Sequence, residues 1–262
     1  KVALKQGVNF HTNHNVEKIN IHNSFATSLT TNKGSFQFDN LIGSADYEHI
    51  ENKLLDNSTR NYSSKYWDKK VFAPSCLLFY LGINKKVDNL LHHTLFFNES
   101  LDQHADEIYT NKKWPTKPLF YVCCPSKTDS TIAPIGKENL FVLMPIATGL
   151  KDTEGIREKY FDLLLNKLEK YTGTDIINNI EFKRSYCIND FKSDYNSYQG
   201  NAYGLANTLM QTANLKPKMR SKKVKNMIYA GQLTVPGPGV PPSIISGQVA
   251  AEQILKSQSN LV

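Results

Sequence analysis

Apolar positions recur with strand-like spacing through the first forty residues. Val8 and Phe10, then Val16, Ile19 and Ile21, then Phe25, Ala26, Ser28 and Leu29, then Phe36 and Phe38 carry the pattern. Turn signals at 13–15, at Asn23 and at 32–34 divide it, so a meander of short strands is predicted, with a further strand over 41–45. From Glu48 onward the apolar runs lengthen. Residues 72–83 are nearly continuous, as suits a strand buried on both faces or one lining an apolar cavity, and 119–124 and 140–145 read similarly. The period then becomes helical over 155–171. Ile156, Tyr160, Phe161, Leu164, Leu168 and Tyr171 share one face, Arg157, Glu158, Lys167 and Glu169 lie largely opposite, and Gly173 stops the helix. Residues 176–187 read as one more strand, followed by a polar loop to Asn201.

The chain is organised around 226–255, which reads NMIYAGQLTVPGPGVPPSIISGQVAAEQIL. Its apolar start, 227–230, predicts a buried strand that ends at Gly231. Glycines and prolines then shape the loop over 233–242 by covalent geometry rather than by side-chain contacts. Pro242 suits a first helical turn, and Ile244, Ile245, Val249, Ile254 and Leu255 recur at helical spacing. Ser246, Gly247, Ala250 and Ala251 keep one face small, which permits close approach to a sheet or a flat ligand. Strand, tight loop and helix suit a phosphate or cofactor if the N–H groups of 243–246 point at the loop. The same spacing fits a plain strand-to-helix crossover.

Composition narrows the classes. A chain of 262 residues can bury a core as one large or two modest domains, and 40% hydrophobic content with a mean hydropathy of −0.42 describes a globular chain rather than a disordered one. No apolar run approaches the roughly 20 residues that cross a bilayer. The opening, KVALKQGVNF, has no initiator Met and no apolar leader, so a piece of a longer protein is expected. Basic residues outnumber acidic ones 31 to 24 and cluster at 216–225. That run reads as a solvated face or an attraction to an anionic membrane surface; without an RNP, zinc-finger or helix-turn-helix pattern, no nucleic-acid partner is expected.

Cys76, Cys123, Cys124 and Cys187 lack disulfide or zinc spacing and read as core thiols in a reducing cytoplasm. His92 and His93, adjacent in a predicted strand, are expected to point to opposite faces and not to act together. The seven histidines show no HExxH or facial-triad spacing, so no metal is expected. No GxSxG elbow or Cys/His nucleophile arrangement appears either.

The 226–255 stretch resembles the C-terminal signature of the phytoene desaturase family, the bacterial-type carotenoid desaturases and isomerases among the amine-oxidase-like flavoproteins. Further stretches agree in order: LLFYLGI at 77–83, LLHHTLFF at 90–97, LFYVCCPSKTDSTIAPIGKENLFVLMP at 119–145 and GNAYGLANTLMQTANLKPKMRS at 200–221. The resemblance covers nearly the whole chain. It implies an α/β (α+β) fold, with part of a Rossmann-like FAD-binding domain at 1–47, a sheet-and-helix substrate domain at 48–224, and a return to the FAD-binding domain at 225–262.

FAD is the implied cofactor. Gly231, Gln232, Gly239, Val240 and Pro241 match the family's flavin-facing loop, through their backbones, and Val16 matches a valine that lies against the adenine. The implied reaction is desaturation of a linear apolar isoprenoid such as phytoene in carotenoid biosynthesis, by a cytoplasmic enzyme associated peripherally with membranes. Some of the aromatics dense between Tyr62 and Tyr121 would then line an apolar tunnel. Two departures matter. This chain carries Gln232 and TVPGPG where many relatives have an alanine-, threonine- and histidine-containing loop, and its glycines at 7, 34 and 43 are isolated, with no GxGxxG for the FAD pyrophosphate. The resemblance therefore implies the C-terminal part of such an enzyme, inactive by itself, with its acid–base residues unassigned. A carotenoid isomerase, another amine-oxidase-like flavoenzyme, or a non-enzymatic module binding apolar ligands or membranes are the alternatives.

Overall fold

The computed structural model describes residues 1–259, which form two compact units: residues 1–70 together with 209 onward, and residues 71–208. The last three residues of the expected 225–262 segment lie outside the described residues. Both units mix helix and sheet, in keeping with the expected class.

In the first unit, β1 (Val16–His22), β2 (Phe25–Thr31) and β3 (Gly34–Gln37) form an antiparallel meander in chain order. Asn23 and Ser24 both take positive φ, 49° and 65°, which gives the β1–β2 turn the twist that tight hairpins need. The strand expected through Val8 and Phe10 does not form, and both side chains are exposed. A short helix, α1 (Val2–Lys5), takes its place; the Val8 N–H donates back to the Ala3 carbonyl at 3.1 Å, which removes it from any ladder.

β4 (Leu41–Gly43) pairs in parallel with β10 (Met227–Tyr229), joining opposite ends of the chain through three buried residues on β10. Asn226 ties this pair to the meander. Its amide donates to the Ala26 and Asp39 carbonyls and accepts from the Ala26 N–H, at 2.7–2.8 Å. After β4, Asp46 caps α2 (Tyr47–His49) by accepting from the Glu48 and His49 N–H groups, and the helix loosens into a π turn over Ile50–Leu54.

Tyr229 stacks on Tyr47 at 3.7 Å, and Trp67 of α3 (Ser64–Asp68) and Tyr62 close edges around Tyr47. Residues 48–70 pack with the β4–β10 pair, their aromatics filling its core, and the two compact units divide at 70/71 and 208/209.

Glu51 is wholly buried under these rings, where its carboxylate accepts from the Tyr229 hydroxyl and, at 2.6 Å, from the Tyr62 N–H. Burial raises its pKa above the ordinary carboxylate value despite those hydrogen bonds. An acid raised in the fold contributes stability in full below its unfolded pKa and loses it as pH climbs through the folded one. Glu51→Gln is therefore expected to flatten the decline of this unit's urea midpoint as pH rises above the ordinary carboxylate range. An unchanged slope would remove Glu51 as its source.

The second unit is a one-sided sheet. Its strand order is β6 (His93–Phe96), β7 (Phe120–Cys123), β8 (Glu138–Ile146), β5 (Ser75–Ile83), β9 (Ile180–Tyr186), antiparallel throughout. β8 alternates buried and half-buried positions along its whole length. On β5, Leu77, Phe79, Leu81 and Ile83 pack toward α5 (Glu154–Thr172), whose Tyr160, Phe161, Leu164, Leu165 and Leu168 complete the main core. Cys76 and Leu78 belong to a smaller cluster with Tyr186, and Tyr80 on that side is exposed. The shorter α4 (Leu101–Tyr109) and α6 (Ile188–Tyr195) complete the unit.

The ends of α5 follow the sequence. The Thr153 hydroxyl accepts from the Ile156 N–H, and Gly173 leaves the helix left-handed at φ 68°. Its faces depart from expectation at two positions. Tyr171 is exposed, and Arg157, expected on the solvent side, is buried because Asp152 grips it through two hydrogen bonds of 2.7 and 2.6 Å.

Candidate functional site

The 231–239 loop joins β10 to α7 (Val240–Ser259) within the first unit. Gly231, Gly237 and Gly239 all take positive φ, 108°, 134° and 111°, so three glycines set its path. Leu233 and Thr234 turn inward, and the Thr234 hydroxyl donates to the Pro217 carbonyl at 2.7 Å. The Gly231 N–H donates to the Ser246 hydroxyl at 3.0 Å, which staples the start of the loop to the helix that ends it.

The helix begins at Val240, two residues before the expected first turn. Gly239 already accepts from the Ser243 N–H at 3.0 Å, so the N–H groups of 243–246 are not the free ones. The free positions fall on the preceding residues, and Pro241 and Pro242 among them have no N–H to give. A strong anion pocket at this helix end is therefore not built from backbone donors. The small face serves the sheet instead: Ser246 and Ala250 are wholly buried, and Ala250 joins Met219 and Ile228 in a local core with Val249 and Ile254 against it. Ile244, Ile245 and Leu255 stay exposed.

Of the residues expected at a flavin, Gly231, Gln232, Gly239, Val240 and Pro241 thus share one loop and helix start, with Val240 and Pro241 exposed. Val16 opens β1 on the separate three-stranded sheet, half-buried and paired with Thr31.

A residue that the sequence pattern hid stands beside this loop. Lys216 is only 3% exposed, yet its ammonium has no hydrogen-bond partner. A side chain at Gly237 would meet Lys216 Cε at 3.1 Å and Nζ at 3.4 Å, so the loop lies directly on the charge. Burial lowers the Lys216 pKa from its ordinary value. An unpaired buried ammonium is costly, and it calls for an anionic or strongly accepting group at that point. The basic run at 216–225 concealed it, because charges in a row read as one solvated face. In the structure the run alternates, with Lys216 and Met219 buried and Lys218 and Arg220 exposed.

Two features stand out in the second unit. A groove of about 250 Å3 is lined by apolar side chains including Leu95, Phe97, Leu101, Ile108, Tyr109 and Phe120, and Leu95, Phe97 and Leu101 are each about 60% exposed. His92 and His93 do not point apart: their ring centroids are 4.2 Å from one another. β6 starts at His93, so His92 precedes the pleat and escapes its alternation.

Among the described residues, no helix is long and apolar enough to cross a membrane. All four cysteines are free, with Cys76, Cys124 and Cys187 buried and Cys123 half-buried.

Comparison with known proteins fits this architecture. The chain is 40% identical over 250 residues to a carotenoid 3,4-desaturase of Haloarcula japonica, covering 95% of this chain and 50% of that protein. It is 32% identical over 267 residues to a 4,4'-diapophytoene desaturase of Staphylococcus haemolyticus, covering 98% and 53%. The chain thus spans about half the length of the curated relatives it matches. A solved oxidoreductase from Methanosarcina mazei superposes with a TM-score of 0.63 at 14% identity, over 96% of this chain and 51% of that one, which establishes a shared fold. Residues 2–255 match the family described as flavin containing amine oxidoreductase, and with nearly its whole length inside that match the chain belongs to this family.

Proposed function

We propose that this chain is part of an FAD-dependent desaturase acting on a linear isoprenoid of the phytoene type. The observation that carries the reading is the buried, unpartnered Lys216 ammonium under a glycine-shaped loop at the positions expected to face a flavin. The Gly231, Gln232, Gly239, Val240 and Pro241 backbones would bound the cofactor on one side, with Val16 toward its adenine, and Lys216 would meet an electron-rich edge. A bound flavin supplies the acceptor for a hydride taken from one saturated carbon while the neighbouring carbon loses a proton.

This chain's own contributions are shape, charge and dryness. Gly237 lets the loop lie on Lys216, and burial keeps that ammonium out of water, where its field on a bound group is strongest. The apolar groove of the second unit suits an isoprenoid, which offers only dispersion and desolvation to its binder. The same unit with its exposed Leu95, Phe97 and Leu101 suits a peripheral membrane surface as the place where such a substrate is met.

The test pairs binding with turnover in the polypeptide that carries this sequence. Supplied with FAD and with phytoene in liposomes, it is expected to retain flavin absorbance and to form products of longer conjugation. Isomerised phytoene without new double bonds would favour a carotenoid isomerase. Uptake of phytoene or liposomes with no flavin absorbance would favour a non-enzymatic module.

Lys216→Met gives the sharper result. Removing an unpaired buried charge is expected to raise the unfolding midpoint, while flavin affinity falls about tenfold, the trade expected where a destabilising group is kept for binding. Unchanged flavin affinity in Lys216→Met would sever the residue from the cofactor.

A further inference from the structure

We propose that His92, His93 and Cys123 form a binding site for a borderline-soft divalent cation, with Zn2+ as its occupant. The site lies wholly in the second unit and stands independently of the flavin reading. One ligand atom from each of the three residues lies within 4.8 Å of the other two. The register explains why. His93 and Cys123 are directly opposed across the β6–β7 pair, so their side chains leave the same face, and the Cys124 N–H donates to the His92 carbonyl at 2.8 Å, which holds His92 at the same edge. Cys123 lies 30 residues beyond His93 with no spacing motif, and only the pairing of two strands brings it to the adjacent histidines.

The surroundings of both rings favour metal over any other role. His92 Nδ1 is 2.5 Å from the Thr128 hydroxyl, and His93 Nδ1 is 2.6 Å from the Tyr121 hydroxyl. A hydroxyl oxygen that accepts from Nδ1–H fixes the tautomer and leaves the other ring nitrogen with its lone pair, the arrangement by which outer hydrogen bonds orient metal-bound imidazoles. A cation between the rings would take one nitrogen from each, and Cys123 would supply a thiolate from the facing strand.

Donor chemistry selects the ion. Two nitrogens and one sulfur suit Zn2+, Cu2+ or Cu+ and reject Mg2+ and Ca2+, which demand oxygen ligands. Tetrahedral Zn2+ places its ligand atoms roughly 3.4 Å apart. Closing to that distance needs about an ångström of movement from side chains that are exposed or half-buried, so the core is undisturbed. Three protein ligands leave a fourth position for water or a small anion, and binding releases the Cys123 proton to solvent.

The experiment is a Zn2+ titration of the full chain by calorimetry, after chelator treatment under reducing conditions, with Co2+ as a spectroscopic stand-in for thiolate coordination. The proposal expects one Zn2+ per chain, a cobalt–thiolate charge-transfer band, and a rise in the second unit's unfolding midpoint on adding Zn2+. Cys123→Ser is expected to abolish the band and weaken Zn2+ at least tenfold, and Thr128→Val, at an exposed position whose hydroxyl meets His92 Nδ1, about tenfold. His11→Ala/His14→Ala, altering two histidines of the other unit, is expected to change nothing. No Zn2+ retained at micromolar concentration, binding indifferent to Cys123→Ser, or binding lost in the His11/His14 control would each overturn the site.

Discussion

Asp152→Ala is expected to destabilise the 71–208 unit by about 4 kcal/mol, the cost of leaving a buried charge without its partner. The Asp152 carboxylate has no solvent exposure and accepts from Arg157 Nε at 2.7 Å and Nη2 at 2.6 Å, and from the Asn189 N–H at 2.9 Å. Burial by itself would raise its pKa, but the guanidinium and the Asn189 N–H outweigh burial and hold it below the ordinary value. Stability from such a group is present above the unfolded pKa and lost as pH falls through the folded one, so the wild type should lose it on acidification and the variant should not.

Arg157 also reaches Asp190 at 2.7 Å, which keeps it partly compensated. The double variant Asp152→Leu/Arg157→Met is expected to recover most of the loss, because removing both charges removes the desolvation penalty with the attraction. Equal denaturant midpoints for Asp152→Ala and wild type would show the pair to be energetically idle.

Gly200→Ala is expected to cost the same unit about 3 kcal/mol, combining left-handed strain with a clash that backbone cannot relieve. Gly200 sits at φ 66°, and a Cβ there would meet Ile188 Cγ2 at 2.7 Å, its carbonyl oxygen at 2.8 Å and its Cα at 3.0 Å. The Gly200 carbonyl also accepts from the buried Ser75 hydroxyl at 2.6 Å, so shifting the loop away would break a bond at the first residue of β5. Gly173→Ala, also at positive φ but with nothing within 4 Å, is the control and is expected to lose only the strain, about 1 kcal/mol. Similar losses for both would assign the whole effect to backbone conformation.

Most of the architecture could be read before any coordinates, because periodicity reports which face of an element is buried. The strand at 227–229, the meander from Val16, and the helix between Thr153 and Gly173 each follow from local spacing and caps. The structure departs from the pattern where specific side-chain and backbone contacts, rather than periodicity, decide the outcome. Val8 and Phe10 have strand spacing but meet no ladder, and Arg157 looks like a solvent residue until Asp152 and Asp190 enclose it. Tyr62 and Trp67 give no local sign that they pack around Tyr47.

The candidate sites follow the same rule. The loop at 231–239 announces itself through three glycines and its neighbouring prolines, whereas Lys216 gives no sign of its burial and His93 none of the thiol opposite it. What a residue does chemically here depends on contacts that span 21 to 30 positions of chain, beyond the reach of any local pattern.

The discontinuity of the first unit has a consequence for biosynthesis. The 71–208 unit is one uninterrupted segment and can complete its sheet as soon as it clears the ribosome, but β4 finds its partner only when β10 emerges, after the whole of that unit has been made. Until Tyr229 arrives, the ring face of Tyr47 on which it stacks is uncovered, and Glu51 of the π turn lacks the hydroxyl that it accepts from. That interval is when a nascent chain of this design most needs a chaperone, and a slow codon run placed before Met227 would lengthen it.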